Sequence, residues 1–183
     1  ADDLISELIR ARDEGGALSE EELITTCILL LNAGHEATVH TMGNTVKLLL
    51  TLGLRQITPE IIEEAIRFDP PLHSFTRYAK EDVSAFGHDF KRGEAVNCLL
   101  ASANRDPQAY EKPNSFDPSR KGPVNTSFGG GIHFCVGAPL ARLELVTALD
   151  VLFERCPRLA LSENAEFANV YHFHGLKSLM VRP

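Results

Sequence analysis

From Ser19 to Thr58 no proline interrupts the chain, and apolar character persists to Leu54. Ser19-x-x-Glu22 reads as a capping box, in which each residue satisfies the other's backbone N–H and so opens a helix. A continuous helix from about Glu20 to Leu50 would be roughly 45 Å long at 1.5 Å per residue, a length few small domains contain. Gly34 and Gly43 lie in its interior, each costing about 1 kcal/mol against alanine. A glycine retained there points to a packing or ligand requirement.

Shorter elements flank this helix. Leu4, Ile5, Leu8 and Ile9 share one helical face within residues 2–12, so that Ala1 already reads as helical, and Gly15-Gly16 breaks the pattern. Thr58-Pro59 is an N-cap with proline at the first helical position, and Asp69-Pro70-Pro71 stops the helix it opens. From Leu72 to about Leu100 the runs SFTRYA, VSAF and AVNCLL, broken at Gly87 and Lys91–Glu94, predict antiparallel hairpins. Residues 104–127 hold four prolines among polar residues, an irregular segment of a length that is more often functional than idle. A last long helix is expected from about Pro139 to Glu154, with Leu140, Leu143, Val146 and Leu149 on one face. The tail reads as a strand pair, NVYHF with KSLMV. The fold class is therefore mainly α with small antiparallel β hairpins.

Composition narrows the function classes. The 183 residues carry a formal net charge of −7, a poor basis for general nucleic-acid binding, which needs basic surface. The longest unbroken apolar run, Cys27 to Leu31, falls far short of the ~20 residues of a membrane span. No charged and apolar leader pattern opens the chain, so no signal peptide is read. Cys27, Cys98, Cys135 and Cys156 are too dispersed for a disulfide scaffold or a zinc ribbon. The expectation is a soluble protein of a reducing cytoplasm, with no nucleic-acid or membrane partner.

The densest chemical signal is Phe128-Gly129-Gly130-Gly131-Ile132-His133-Phe134-Cys135-Val136-Gly137. It presents one cysteine from a glycine-rich turn just ahead of a helix N-terminus, where amide donors and the helix end favour a thiolate. Gly137 lets a flat ligand approach the backbone closely. A thiolate so placed is a sound axial ligand for heme iron. Spacing alone ranks a buried, inert cysteine ahead of that; a phosphate loop lacks the Lys-Ser/Thr pair that should follow the glycines.

This segment resembles the heme-binding signature of the cytochrome P-450 family, Phe-x-x-Gly-x-His/Arg-x-Cys-x-Gly, at every defined position. Ala138-Pro-Leu-Ala-Arg142-Leu-Glu resembles the bacterial form of the helix that follows. Glu64-Ala-Ile-Arg67 resembles the family's Glu-x-x-Arg, a motif that on its own reads as a surface pair worth a few tenths of a kcal/mol. The resemblance implies a buried triad closed by Arg120 of Phe116-Asp-Pro-Ser-Arg120. Ala101-Ser-Ala-Asn-Arg-Asp-Pro107 is typical of bacterial members, and the proline-rich segment corresponds to the family's meander. Phe128, Gly129 and Gly137 would shape the cofactor loop, and Arg77 and His133 would hold heme propionates, anions that want fixed cationic or N–H donors. Read alone, Arg77 is an edge-strand charge.

Ala33-Gly34-His35-Glu36-Ala37-Thr38 resembles the oxygen-binding motif of the long helix. The resemblance assigns Gly34 to space for dioxygen and Glu36 to the proton path. Ala37 departs from it, because the family usually has threonine there. Thr38 points about 100° away along the helix, so the relay would be completed by ordered water, a substrate hydroxyl, or Thr38 through a local bulge. Ala37 also keeps peroxide-driven oxygenation open. Substrate contacts implied are Ala33, Ala37, the stretch Leu72 to Phe75, and the turn near Phe173. Arg142 reads either as a contact for an acidic donor or as an ion-pair partner. His172 and His174 would share a strand face without a third ligand nearby in sequence, and so read as structural; His35 and His40 fall on the long helix.

The resemblance covers residues 1–183 as one domain, matching only the C-terminal, heme-binding part of the family's fold: long oxygen-binding helix, Glu-x-x-Arg helix, meander and cysteine loop. It implies a monooxygenase with heme b, which the fragment alone need not retain, a ferredoxin or flavodoxin-type electron donor, and a small organic substrate. The alternative is a truncated, heme-free, non-catalytic remnant or partner-dependent module. With the N-terminal half missing, an exposed apolar face and self-association are expected. The remaining three cysteines are expected in the core.

Overall fold

The computed structural model describes residues 2–16 and 18–183, so the reading of Ala1 as helical lies outside the described residues. The chain divides into two compact units, Ala1–Thr38 and Val39–Pro183.

In the first unit α1 spans Leu4–Gly15. Asp3 caps it by accepting the Ser6 N–H at 2.8 Å, and Gly16, with φ 56°, closes it in the left-handed conformation that glycine adopts without strain. Helix α2 runs from Glu20 to Leu52, 33 residues or about 50 Å, and passes from the first unit into the second. Its start is a reciprocal capping box: the Ser19 N–H donates to Glu22 Oε2 at 2.8 Å and the Glu22 N–H to Ser19 Oγ at 3.2 Å. Ile24, Ile28, Leu29 and Leu31 on this helix are more than half exposed.

The core of the second unit lies between the C-terminal part of α2, helix α3 (Pro59–Phe68) and helix α5 (Ala138–Arg155). Val46 and Leu49 of α2 meet Ile61, Ile62 and Ile66 of α3 and Leu145, Leu149 and Phe153 of α5. Each such side chain, fully buried, contributes about 1.5–3 kcal/mol. The inward face of α5 is therefore Ala138, Leu145, Leu149 and Phe153, with Val146 partly buried. Leu140 and Leu143, expected on the buried face, are 58% and 63% exposed. Leucine and valine occur around most of this helix, and the apolar period alone selects the wrong stripe.

Among the described residues there are three two-stranded antiparallel sheets, all within the second unit. Strand β1 (Phe75–Tyr78) pairs with β4 (Ala95–Cys98), enclosing the β2 (Val83–Ala85) and β3 (His88–Phe90) hairpin. Phe86 and Gly87 turn that hairpin with φ of 54° and 77°, the paired positive values of a tight hairpin turn. The AVNCLL run ends as a strand at Cys98, because Leu100 begins a one-turn helix, α4 (Leu100–Ala103), and buries its side chain. The tail departs from the expected pairing. Short strands β5 (Ala160–Leu161) and β6 (Val181–Arg182) pair with each other, and the only contact of strand type nearer NVYHF among the described residues is a bridge between Phe167 and Leu176. Of the three cysteines expected in the core, Cys156 is half-buried against it, Cys27 is half-buried on α2 and Cys98 is exposed.

Residues 104–127 form turns without helix or strand. Asn104, fully buried, ties the two ends of this segment together. Its Oδ1 accepts the Thr126 N–H at 2.7 Å and its Nδ2 donates to Ser127 Oγ at 2.8 Å. Among the described residues no helix is long and apolar enough to cross a membrane.

Candidate functional site

The cysteine loop is folded by its glycines. Gly129 and Gly131 have φ of 72° and 63°, and Gly131–His133 make a single 3-10 turn. The Cys135 N–H returns to the Phe128 carbonyl at 2.9 Å, and the Ala138 N–H donates to the Cys135 carbonyl at 3.2 Å. Helix α5 starts immediately afterwards, with Gly137 as N-cap and no side chain capping it. A Cβ on Gly137 would lie 3.8 Å from Cys135 Sγ, so glycine keeps the space beside the sulfur clear. The sulfur is exposed, contrary to the buried-cysteine reading, and Ile132 and Val136 on the same loop are 97% and 88% exposed. An open thiol ringed by open apolar side chains is a donor set suited to a large, flat, apolar ligand with a metal centre. That is the test a heme must pass, and these residues fit it.

Behind the loop, Phe128 packs against the core and carries the Arg142 guanidinium 4.5 Å above its ring. Arg142 pairs with Glu63 of α3 through both Nε and Nη2, the latter at 3.1 Å. Of the two readings of Arg142, the ion pair is the one present.

On the same helix Glu64 and Arg67 form a buried, two-point ion pair, with Nε to Oε2 at 2.7 Å and Nη2 to Oε1 at 2.8 Å. Their side chains are 5% and 3% exposed, so the surface-pair reading does not describe them. Arg120 Nε lies 3.3 Å from both Glu64 oxygens, and the Asp117 N–H donates to Oε1 at 2.9 Å. The remaining guanidinium donors are spent on the irregular segment. Arg67 Nη1 reaches the Asn104 and Pro113 carbonyls at 2.7 and 3.0 Å, and Arg120 Nη2 reaches the Ser115 carbonyl at 2.7 Å. One carboxylate and two guanidiniums thus pin a segment that has no backbone ladder of its own. Arg105 adds a further strut, donating to the Phe68 carbonyl at 2.5 Å and lying 4.1 Å from the Phe68 ring centroid. Asn104 and Arg105 were visible only as part of a family-like stretch; their side-chain roles had no local signal.

The other candidate residues are placed more simply. Arg77, on β1, is exposed, lies over the Phe75 ring at 5.2 Å and donates to the Thr76 carbonyl at 3.1 Å. His133 is exposed at the end of the 3-10 turn. Gly34 and Glu36 are exposed on α2, and Ala37 and Thr38 are half-buried there. The reading of His172 and His174 needs correction. They are not on a strand, and His174 has partners distant in sequence: its Nε2 lies 3.1 Å from Asp69 Oδ1, and its ring stacks between those of His73 and Phe167.

Comparison with known proteins agrees with this architecture. A family model, Cytochrome P450, matches residues 51–170. The chain belongs to the cytochrome P450 family. It is 39% identical to the biotin biosynthesis cytochrome P450 of Bacillus subtilis, over 98% of this chain and 47% of that protein. It is 40% identical to the cytochrome P450 monooxygenase PikC of Streptomyces venezuelae, over 99% of this chain and 47% of the relative. The crystal structure of CYP109E1 from Bacillus megaterium with testosterone superposes with a TM-score of 0.89 at 38% identity, covering 100% of this chain and 53% of the other. The chain spans about half the length of the curated relatives it matches.

Proposed function

We propose that the chain is the heme-bearing part of a monooxygenase that places one oxygen atom from dioxygen into a small organic substrate. The observation that carries this reading is the exposed Cys135 on its glycine-folded loop, held at the start of α5. When bound, heme b supplies a thiolate-ligated iron at which dioxygen is activated. Cys135 would be the iron's ligand, and the glycines at 129, 131 and 137 keep the loop tight and the sulfur face open. Phe128 sets the base of the loop through its carbonyl bond to Cys135. Arg77 and His133 carry the donors suited to propionate carboxylates. Glu64, Arg67 and Arg120 hold the segment that leads into the loop.

Splitting dioxygen to product and water consumes protons, and Glu36 and Thr38 are the groups of α2 suited to deliver them. Gly34 leaves backbone open to a small ligand, and Ala37 removes the hydroxyl that relatives with threonine would offer. Electrons would come from a ferredoxin or flavodoxin-type protein. The open apolar side chains of α2 and of the cysteine loop support packing against a second copy or a further polypeptide surface.

The functional test supplies the protein that carries this chain with isotopically labelled dioxygen and a ferredoxin-type donor. Labelled oxygen in the organic product is expected. Product oxygen drawn from water, or product formed only with peroxide, refutes the dioxygen route. Thr38→Ala is expected to divert electrons from product to peroxide; unchanged coupling removes Thr38 from the relay.

A further inference from the structure

Outside the cysteine loop, two imidazoles and one carboxylate converge. Asp69 ends α3, His73 precedes β1, and His174 belongs to the C-terminal segment. One donor atom from each lies within 4.8 Å of the other two. We propose that Asp69, His73 and His174 bind a divalent transition cation of the zinc class, and that the cation clips the C-terminal segment to the connection between α3 and β1.

The donor chemistry favours this class of ion. Two neutral imidazoles and a carboxylate are a usual three-residue set for zinc and its neighbours, with water completing the coordination. Ligands about 2.0–2.1 Å from a tetrahedral ion stand roughly 3.3 Å from one another. His174 Nε2 and Asp69 Oδ1 are already 3.1 Å apart. The His73 and His174 rings are stacked with centroids 4.2 Å apart, so His73, which is exposed, must turn out of that stack to aim a ring nitrogen at the ion, while the backbones that carry the three donors are tied down. The Asp69 N–H donates to the Ala65 carbonyl at 3.0 Å. The His174 N–H donates to Pro71, midway between the other two ligands, at 2.7 Å, and its carbonyl accepts Asn44 Nδ2 at 2.9 Å. The His73 carbonyl accepts the Ala101 N–H at 3.2 Å.

The surroundings suit a bound ion as well. Phe167 stacks on His174 with ring centroids 3.9 Å apart, restricting the imidazole to few orientations. His73 is exposed and gives the ion a path from solvent. Arg105, whose hydrogen bond to Phe68 brings it beside Asp69 in sequence, is engaged by that carbonyl and by Asn114 Oδ1 at 3.1 Å. The site uses none of the residues assigned to heme, although His73 lies in the stretch Leu72 to Phe75 and His174 beside Phe173, so zinc retention is read separately from any effect on substrate.

The test measures zinc retained by the purified chain after equilibrium dialysis, beside His73→Gln and Asp69→Asn, with far-UV circular dichroism confirming that all three are folded. His73 is exposed and its replacement leaves the core untouched. One zinc per chain is expected for the native sequence, with binding about tenfold weaker or worse in both variants, as loss of a direct ligand costs at least what loss of an outer partner does. A thermal midpoint that rises with zinc only in the native sequence is expected alongside. No zinc retained, or either variant binding as the native sequence does, overturns the proposal.

Discussion

Glu64→Gln isolates the charge of one buried carboxylate while keeping its shape. In the native chain this carboxylate faces the guanidiniums of Arg67 and Arg120 at 2.7 to 3.3 Å, and all three side chains are less than a tenth exposed. The substitution leaves two buried cations without a counter-charge and turns one of the two accepting oxygens into an N–H donor that faces guanidinium N–H groups. Breaking a buried ion pair by losing one partner costs about 3–5 kcal/mol. At roughly 2–4 °C per kcal/mol for a chain of this size, the midpoint should fall by about 10 °C. An exposed pair provides the scale: Lys177 and Glu166 lie 3.1 Å apart with side chains 59% and 77% exposed, so Glu166→Gln should cost at most about 1 kcal/mol. Urea unfolding followed by far-UV circular dichroism compares the two, and the buried Tyr110, whose ring lies 5.4 Å from the Arg67 guanidinium, adds a local probe in the near UV. If Glu64→Gln costs no more than Glu166→Gln, the claim that this charge cluster holds the irregular segment is wrong.

Two further outcomes follow from packing and capping. Leu149→Ala, at a fully buried position, should cost about 3–5 kcal/mol, whereas Leu143→Ala, at a position 63% exposed, should stay within about 0.5 kcal/mol in denaturant titration. Hydrogen bonding from the Ser19 N–H holds the Glu22 carboxyl below its ordinary range, so its stabilising effect is complete above the unfolded value and is lost as pH falls through the lowered folded value. Helicity of the native chain should therefore drop on acidification by an increment that Glu22→Gln lacks, read by circular dichroism.

Much of the helical framework was legible because its punctuation is local. The Ser19–Glu22 box, the Thr58-Pro59 cap and the stop at Asp69-Pro70 each act within a few residues, and α2 begins, and α3 begins and ends, beside them. Helix α5 was legible as a helix but not in orientation, since Leu140 and Leu143 are as apolar as Leu145 and Leu149, and only the packing of α3 selects the inward stripe. Two-residue strands carry no alternation to read, which is why the tail pairing eluded the pattern. Spacing places Glu64 and Arg67 on one face of a helix, yet their burial depends on Arg120 and on carbonyls 37 to 48 positions beyond Arg67. The meeting of Asp69 and His73 with His174 is a product of tertiary structure alone.

Cys135 is proposed as the ligand of a heme iron. The most direct measurement of that ligation is the carbon monoxide difference spectrum of the reduced, heme-loaded protein, for the native sequence and for Cys135→Ala. Because Cys135 is exposed, the alanine variant should fold as the native chain does. The red-shifted Soret band of a thiolate-ligated heme is expected in the native protein and is expected to be lost in the variant. The same red-shifted band in Cys135→Ala, or no heme taken up by the native protein, would contradict the proposed ligation.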